Sequence, residues 1–409
     1  MSIILKGWFG PNIKRILERK IWVVSELFYP DQVSTGYIIT AIAEELAKQT
    51  PVQVICGPIG YTEIVEEQKT LPLNIYLNRV KVGNWNKNNL VWRTIRQVLL
   101  SVKMGYKLMR KAKSGDTVMV VTNPAPLLLL VSKICKWKKL KLVILVHDVF
   151  PENLIAANIL SKRGLIYQLL LSFFNNAYQN ANHLIVLGRD MKSLFMQKIN
   201  WQANKITVIP NWADTATIYP VLHPPSPQIK LQFAGNFGRL QGLIPLLKAI
   251  SGANNENLAV DFIGTGAMLN TMQSFVRKAQ LHHVHILPPF KRNEQLTILN
   301  NCDACLVSLS QGMRGLGVPS KAYNILAAGK PIIYIGDVDS EIAFLIDEYD
   351  IGWKFAGFNE GFILFLQSLN EEIKQEMIRK GINARNLALN AYTKEKVLNA
   401  YAQLIQSIS

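Results

Sequence analysis

Three stretches put side chains suited to binding hydroxyls and phosphates at or shortly after the ends of apolar runs. The first is His147–Asp148, which follows LVILV (142–146). An imidazole there can hydrogen-bond a substrate hydroxyl or a leaving group, and Asp148 or Glu152 can orient it or accept a proton from an acceptor hydroxyl. A histidine at a strand end often has a purely structural role; the adjacent Asp148 favours a place in a cleft. The second stretch is GNFGRLQG (235–242). Gly235 and Gly238 let backbone approach a bulky anion without a Cβ clash, and Arg239 can grip phosphate oxygens with two parallel N–H bonds. The segment matches neither G-x-x-x-x-G-K-[ST] nor G-x-G-x-x-G, so a tight turn carrying a surface arginine also accounts for it.

The third stretch is RGLGVPSKAYNILAAGKP (314–331), a glycine-relieved loop feeding a short helix. Pro319 suits a first helical turn, Gly329 suits the left-handed position beyond the end, and Pro331 stops any continuation. A helix start presents unpaired N–H groups and partial positive charge, both favourable to phosphate. Ser320 adds a hydroxyl, Lys321 a full charge, and Asn324 shares their helix face. A buried connecting helix with ordinary caps is the alternative reading.

Other polar groups are weaker. Glu26, Thr35 and Gly36 lie at the exit of the first apolar run, where a loop can touch a ligand. Asp337-Val338-Asp339 has the D-x-D form of a metal site, but its context at the exit of a late strand argues against that role. Glu341, one turn on, can instead reach a ligand hydroxyl. Cys302 and Cys305 form a lone C-x-x-C entering an apolar strand; without a second pair or flanking histidines it reads as structural.

These groups need a scaffold. At 409 residues the chain is too long for one ordinary core and calls for two domains. A hydrophobic fraction of 49% with 18% charged residues excludes a disordered chain. The net charge of +17 is unevenly placed: residues 1–220 hold 28 Lys and Arg against 13 Asp and Glu, the rest 17 against 15. A basic half implies an anionic surface. With no nucleic-acid module in view, that surface is read as a membrane. SIIL is too short for a secretory signal and no apolar run is long enough to span a bilayer, so a cytoplasmic protein on the inner face of the cell membrane is expected.

Apolar runs at 21–27, 52–57, 117–123, 142–146, 183–188 and 206–212 alternate with helical stretches, and the same grammar restarts at 231–235, 260–264 and 283–290, continuing to 331–336. Two α/β domains of doubly wound, Rossmann-like type follow, with ligands expected outside the carboxyl ends of the strands. The divisions are a basic extension (1–20) bearing Trp8 and Phe9, a first domain (21–212), a proline-rich linker (213–228), a second domain (229–380) and a terminal helix (381–409) packing back on the first domain. Residues 90–113 form an amphipathic helix with seven Lys and Arg and no acid, which suits anionic headgroups or a solvated face.

VVSELFYPDQVSTG, HDVFPENL, VIPNWAD, AGNFGRLQG, FIGTGAML, HILPPFKRNE and GVPSKAYNILAAGKPII occur in the order found in family-4 glycosyltransferases. From about Ile21 to Trp353 the chain resembles that GT-B-fold family, in particular its bacterial exopolysaccharide and O-antigen branch of fucosamine and colanic-acid transferases. The resemblance implies a retaining, metal-independent transfer of a hexose from a nucleotide sugar, UDP before GDP, to a lipid-linked acceptor. It implies catalytic contacts from His147, Asp148, Arg239 and Lys321. Arg239 would hold the diphosphate, with Gln241 where many relatives carry lysine and Lys321 restoring the charge. Gly36, Gly235, Asn236, Gly238, Gly264, Gly266, Ser320, Tyr323, Asn324 and Glu341 would complete the donor site, and Pro289 and Phe290 would line the base. Leu316 and Asn324 stand where many relatives carry a Glu-x7-Glu pair; Asn324 can still bond ribose hydroxyls, Leu316 cannot replace a carboxylate, and Glu341 would cover part of the loss. A nucleotide-sugar epimerase of the same fold and a non-catalytic membrane-associated subunit are the alternatives.

Overall fold

The computed structural model describes residues 19–31, 33–59, 70–83, 90–221 and 228–409. Trp8 and Phe9, and residues 222–227 of the proline-rich segment, lie outside the described residues. Thirteen strands are described. Seven form the first sheet: β1 (Ile21–Ser25), β2 (Val52–Cys56), β3 (Ile75–Arg79), β4 (Thr117–Val121), β5 (Lys141–Val146), β6 (His183–Val186) and β7 (Ile206–Val208). Six form the second: β8 (Ile229–Ala234), β9 (Leu258–Ile263), β10 (Val284–Leu287), β11 (Ala304–Ser308), β12 (Ile332–Ile335) and β13 (Gly352–Phe355).

The spatial orders are β3-β2-β1-β4-β5-β6-β7 and β10-β9-β8-β11-β12-β13, with parallel pairing throughout. Parallel central strands are covered by helices on both faces, which is why IWVV and LVILV are continuous apolar runs and wholly buried. The one indole among them, Trp22, donates to Asp116 Oδ2 at 2.8 Å, so its polar tip is satisfied in the core. Strand order reverses between β1 and β4 and again between β8 and β11. Crevices open at such reversals because the loops on either side depart in opposite directions.

Two strands had no clear signal in the sequence. β3 (IYLNR) and β13 (GWKF) are edge strands, and their mixed burial leaves no apolar run to detect. The sheet therefore ends at β13, one strand beyond the run at 331–336.

The terminal region is two helices. Glu371–Ala391 packs against the helix Lys321–Ala327 of the second domain, and Lys394–Ile408 packs against the helix Ser34–Ala47 of the first. Thr393 caps the second by accepting from Lys396 N–H. The segment 213–221 is pinned as well. Arg385 donates to the carbonyls of Ile218 (2.8 Å), Ala327 (2.7 Å) and Thr215 (3.3 Å), and Ala213 N–H donates to Tyr392 O (2.7 Å). Composition alone describes this stretch as a linker; distant helices make it part of the joint.

The helix Leu90–Lys111 packs on Ala125–Lys138, which packs on Leu165–Gln179, giving one layer on the first sheet. Its cations are not all free for headgroups: Arg96 pairs with Glu26 (2.9 Å), and Lys103 and Lys107 donate to the carbonyls of Lys81 and Arg79. Glu26 is thereby tied to this helix and is withdrawn from any ligand. Among the described residues no helix is long and apolar enough to cross a membrane.

Candidate functional site

The carboxyl ends of the two sheets face each other across two adjoining cavities of about 310 and 150 Å³. Ser34 from the first domain and Gly235, Ser320 and Lys321 from the second line both. Lys321 opens its seven-residue helix, and its Nζ sits 3.3 Å from the centroid of the Phe233 ring. A cation over an aromatic face gains some attraction but far less than hydration supplies. Burial accordingly pushes its pKa down to about 7. A bound anion would restore the charge.

His147 and Asp148 project from the end of β5 into the larger cavity. Their backbone N–H groups both donate to Thr122 Oγ1 at 3.2 Å, which fixes the chain as it leaves the strand. His147 Nε2 is buried without a hydrogen-bond partner, and burial pushes the imidazole pKa down to about 4. The ring is therefore neutral at physiological pH, with one polar nitrogen awaiting a hydroxyl. Burial also raises Asp148, to about 6. The loop 314–319 presses against this corner: Val149 N–H donates to Leu316 O at 3.0 Å, and a Cβ on Gly317 would come 3.0 Å from His147 O. Leu316 itself is buried, so the position of the missing acid is filled by packing.

GNFGRLQG supplies the opposite wall through Gly235, Asn236, Leu240 and Gln241. Gln241 Oε1 is buried and unpartnered, and a Cβ on Gly238 would lie 2.5 Å from it. Gly264 and Gly266 support this wall from behind. With φ of +153° and +154° they carry the next loop so close that a Cβ on Gly264 would sit 1.9 Å from Gly235 O. Their role is backbone packing, and neither lines the cavities, which corrects their expected contact with the donor.

The smaller cavity is walled by Phe290, Arg292, Asn324 and Asp214. Asp214 is a hub that the motif VIPNWAD did not reveal. Tyr37 Oη donates to its Oδ1 (2.6 Å), Trp212 Nε1 donates to the same oxygen (3.1 Å), and Arg292 pairs with its Oδ2 (3.2 Å). The Arg292 guanidinium also lies 3.7 Å over the Tyr37 ring, so first domain, joint and second domain meet here. Asn324 Oδ1 is used by Asp214 N–H (3.0 Å), leaving its NH2 for a ligand.

Other expected contacts are placed differently. Arg239 does not share a cavity with Lys321; it lines a neighbouring interdomain cavity of about 750 Å³. Arg239 and Lys321 line different cavities, so the expected pair of cations on one diphosphate is not assembled. Glu341 is buried and accepts from Arg189 N–H (2.6 Å) and Nε (3.1 Å); this interdomain clasp removes it from ligand contact. Glu152 pairs with Lys198 and not with His147. Tyr323 is buried against Tyr392 (ring centroids 5.1 Å), and Gly36 is packed on the Asp31 carbonyl, where a Cβ would lie at 2.6 Å. Neither Gly36, Tyr323 nor Pro289 lines the cavities. Asp337 accepts from Gly312 and Arg314 N–H, and Asp339 pairs with Arg314 (2.8 Å), so the D-x-D holds a loop. Cys302 and Cys305 are buried free thiols with sulfurs 3.5 Å apart.

Comparison with known proteins bears on the family and the fold. The model of Glycosyltransferase Family 4 matches residues 36–217. WbjE of Pseudomonas aeruginosa, a probable glycosyltransferase, is 36% identical over 347 residues, covering 82% of this chain and 85% of WbjE. WcaI of Escherichia coli K12, a putative colanic acid biosynthesis glycosyl transferase, is 23% identical over 199 residues, covering 46% of this chain and 49% of WcaI. HepE of Anabaena, crystallised with UDP-glucose, shares the fold with a TM-score of 0.67 at 13% identity, over 95% of this chain and 99% of HepE. With two facing parallel sheets, a cleft between their carboxyl ends and a relative matched along most of both chains, the protein belongs to glycosyltransferase family 4 and has the GT-B fold.

Proposed function

We propose that this glycosyltransferase moves a hexose, with retention and without a metal ion, from a UDP-sugar to a lipid-linked acceptor in polysaccharide or glycolipid assembly at the inner face of the membrane. The observation that carries the donor reading is Lys321, whose ammonium lies over the Phe233 ring and which lines both cavities. A diphosphate seated over it recovers the lost solvation, and the interaction strengthens as the leaving group gains charge. HepE is a GT-B relative in fold whose crystals hold UDP-glucose, which supports the choice of base.

In this reading the neutral His147 Nε2 hydrogen-bonds a donor-sugar hydroxyl, and Phe290 and the Asn324 amide face the nucleoside. The bond from C1 to the diphosphate oxygen breaks while the acceptor oxygen bonds to C1 on the same face. The acceptor proton passes to the departing diphosphate, so the protein need supply no separate base. Membrane association is supported by the helix Leu90–Lys111, which exposes Val98, Val102 and Tyr106 among its cations.

Release of UDP from UDP-hexoses, measured with purified protein and bacterial membranes, tests the proposal. Turnover that requires membranes is the expected result; no turnover with UDP-, GDP- or dTDP-sugars overturns it.

A further inference from the structure

The cavity of about 750 Å³ next to the donor pocket has its own composition. Three cations reach it from three loops: Lys162 from the first domain and Arg239 and Arg314 from the second. Arg314 is shared with Asp339, and among the described residues no salt bridge engages Lys162 or Arg239. Ile155, Ala156, Ala157 and Leu194 give the first-domain wall an apolar stretch, beside the polar Asn158. Glu152 also lines it, held by Lys198, with Oε2 buried and unpartnered.

Two further observations locate this space. It adjoins the donor pocket, because residues next to each other in the chain line the two: Arg239 this cavity and Leu240 the other, Leu316 this one and Gly317 the other. At its rim the helix Leu165–Gln179 begins, with Tyr167 in the lining. That helix exposes Leu165 (89%), Ile166 (65%), Leu169 (57%) and Phe173 (48%), an unpartnered stripe running away from the mouth for roughly 12 Å at 1.5 Å per residue. A monomeric surface seldom leaves so many large apolar groups in line.

We infer that this cavity is the acceptor subsite and that it takes the phosphorylated head of a lipid, its phosphates between Lys162, Arg239 and Arg314 and its chain leaving along Leu165, Leu169 and Phe173. Clustered cations above an apolar wall match an anionic amphiphile better than a neutral glycan, because each charge lost to a neutral ligand would have to be desolvated without return. A sugar carried on such a head lies beside the adjoining donor pocket, and the unpartnered Oε2 of Glu152 can accept a hydrogen bond from one of its hydroxyls. The inference rests on the transferase reading above and assigns Arg239 to the acceptor in place of the donor.

Equilibrium binding of farnesyl diphosphate, farnesol and UDP to the full-length protein tests it. Farnesyl diphosphate binds whether or not UDP is present, farnesol binds far more weakly, and Lys162→Gln with Arg239→Gln lowers farnesyl diphosphate affinity about tenfold or more. The same double variant keeps UDP affinity within about twofold. Competition between farnesyl diphosphate and UDP, equal binding of farnesol, or a parallel loss of UDP affinity in the variant each overturns the assignment. The competition arm uses only wild-type protein, so it decides even if the variant does not fold. Failure of the wild type to bind UDP would instead strike the donor reading, with the farnesyl diphosphate and farnesol results still judging this cavity.

Discussion

The two compartments of the cleft handle positive charge in opposite ways. In the inner pocket a single ammonium, Lys321, lies over Phe233 beneath loops held at backbone contact. In the outer cavity three cations, Lys162, Arg239 and Arg314, stand exposed on long side chains at the rim. A desolvated charge acts strongly at short range and is sensitive to its own protonation; solvated charges act together, weakly one by one, and are screened by salt. The inner pocket is thus suited to stabilising charge that develops on a fixed atom, and the outer one to collecting an anionic partner.

The largest test of that contrast is Lys321→Ala. Removing the buried cation lowers kcat by about two to three orders of magnitude, the range seen when one preorganised stabilising group is lost, whereas Arg314→Ala raises acceptor KM with a much smaller change in kcat. Steady-state kinetics on both variants separates the two, and an equal loss of kcat would erase the distinction drawn here.

Next in size is Gly264→Ala. A Cβ meeting Gly235 O at 1.9 Å, at φ +153°, forces the supporting loop away and costs about 2 kcal/mol or more of stability. Denaturant unfolding measures it, and a change below about 0.5 kcal/mol would show that the wall of the inner pocket yields easily.

A smaller effect comes from pH. With Lys321 titrating near 7 in the free protein and held protonated by a bound diphosphate, UDP-glucose affinity is flat below pH 7. Above it, affinity falls by up to about tenfold per unit as the free protein gives up the proton that binding must restore. Calorimetry from pH 6 to 9 checks the slope, and Lys321→Arg flattens it because a guanidinium stays charged.

The smallest effect belongs to the exposed surface. Leu169→Ser together with Phe173→Ser reduces flotation with phosphatidylglycerol vesicles several-fold, and raised salt weakens the residual binding further. Salt-insensitive flotation would show that the cations of the first domain take no part.

Several parts of this molecule were legible from one chain of letters. The βαβ grammar was plain because buried parallel strands must be apolar along their whole length, as in IWVV and LVILV. Lys321, Ser320, Asn236, Gln241, His147 and Phe290 all line the cleft, since strand exits and helix starts follow from local pattern. The edge strands β3 and β13 were missed because half-exposed backbone leaves no such run.

What local pattern could not supply is partnership between distant residues. Glu341, Glu152 and Glu26 look like free carboxylates until Arg189, Lys198 and Arg96 arrive from elsewhere in the chain. Asp214 gains its meaning only when Tyr37, Arg292 and Asn324 converge on it. Arg239 stands next in sequence to the inner pocket yet lines the outer one, because successive residues of the 3₁₀ turn Arg239–Gln241 point about 120° apart. Local pattern thus determined the fold and the cleft, and the resemblance of its ordered motifs the family. Which charges are spent on structure, and which remain for a ligand, was decided by the packing of one lobe against the other.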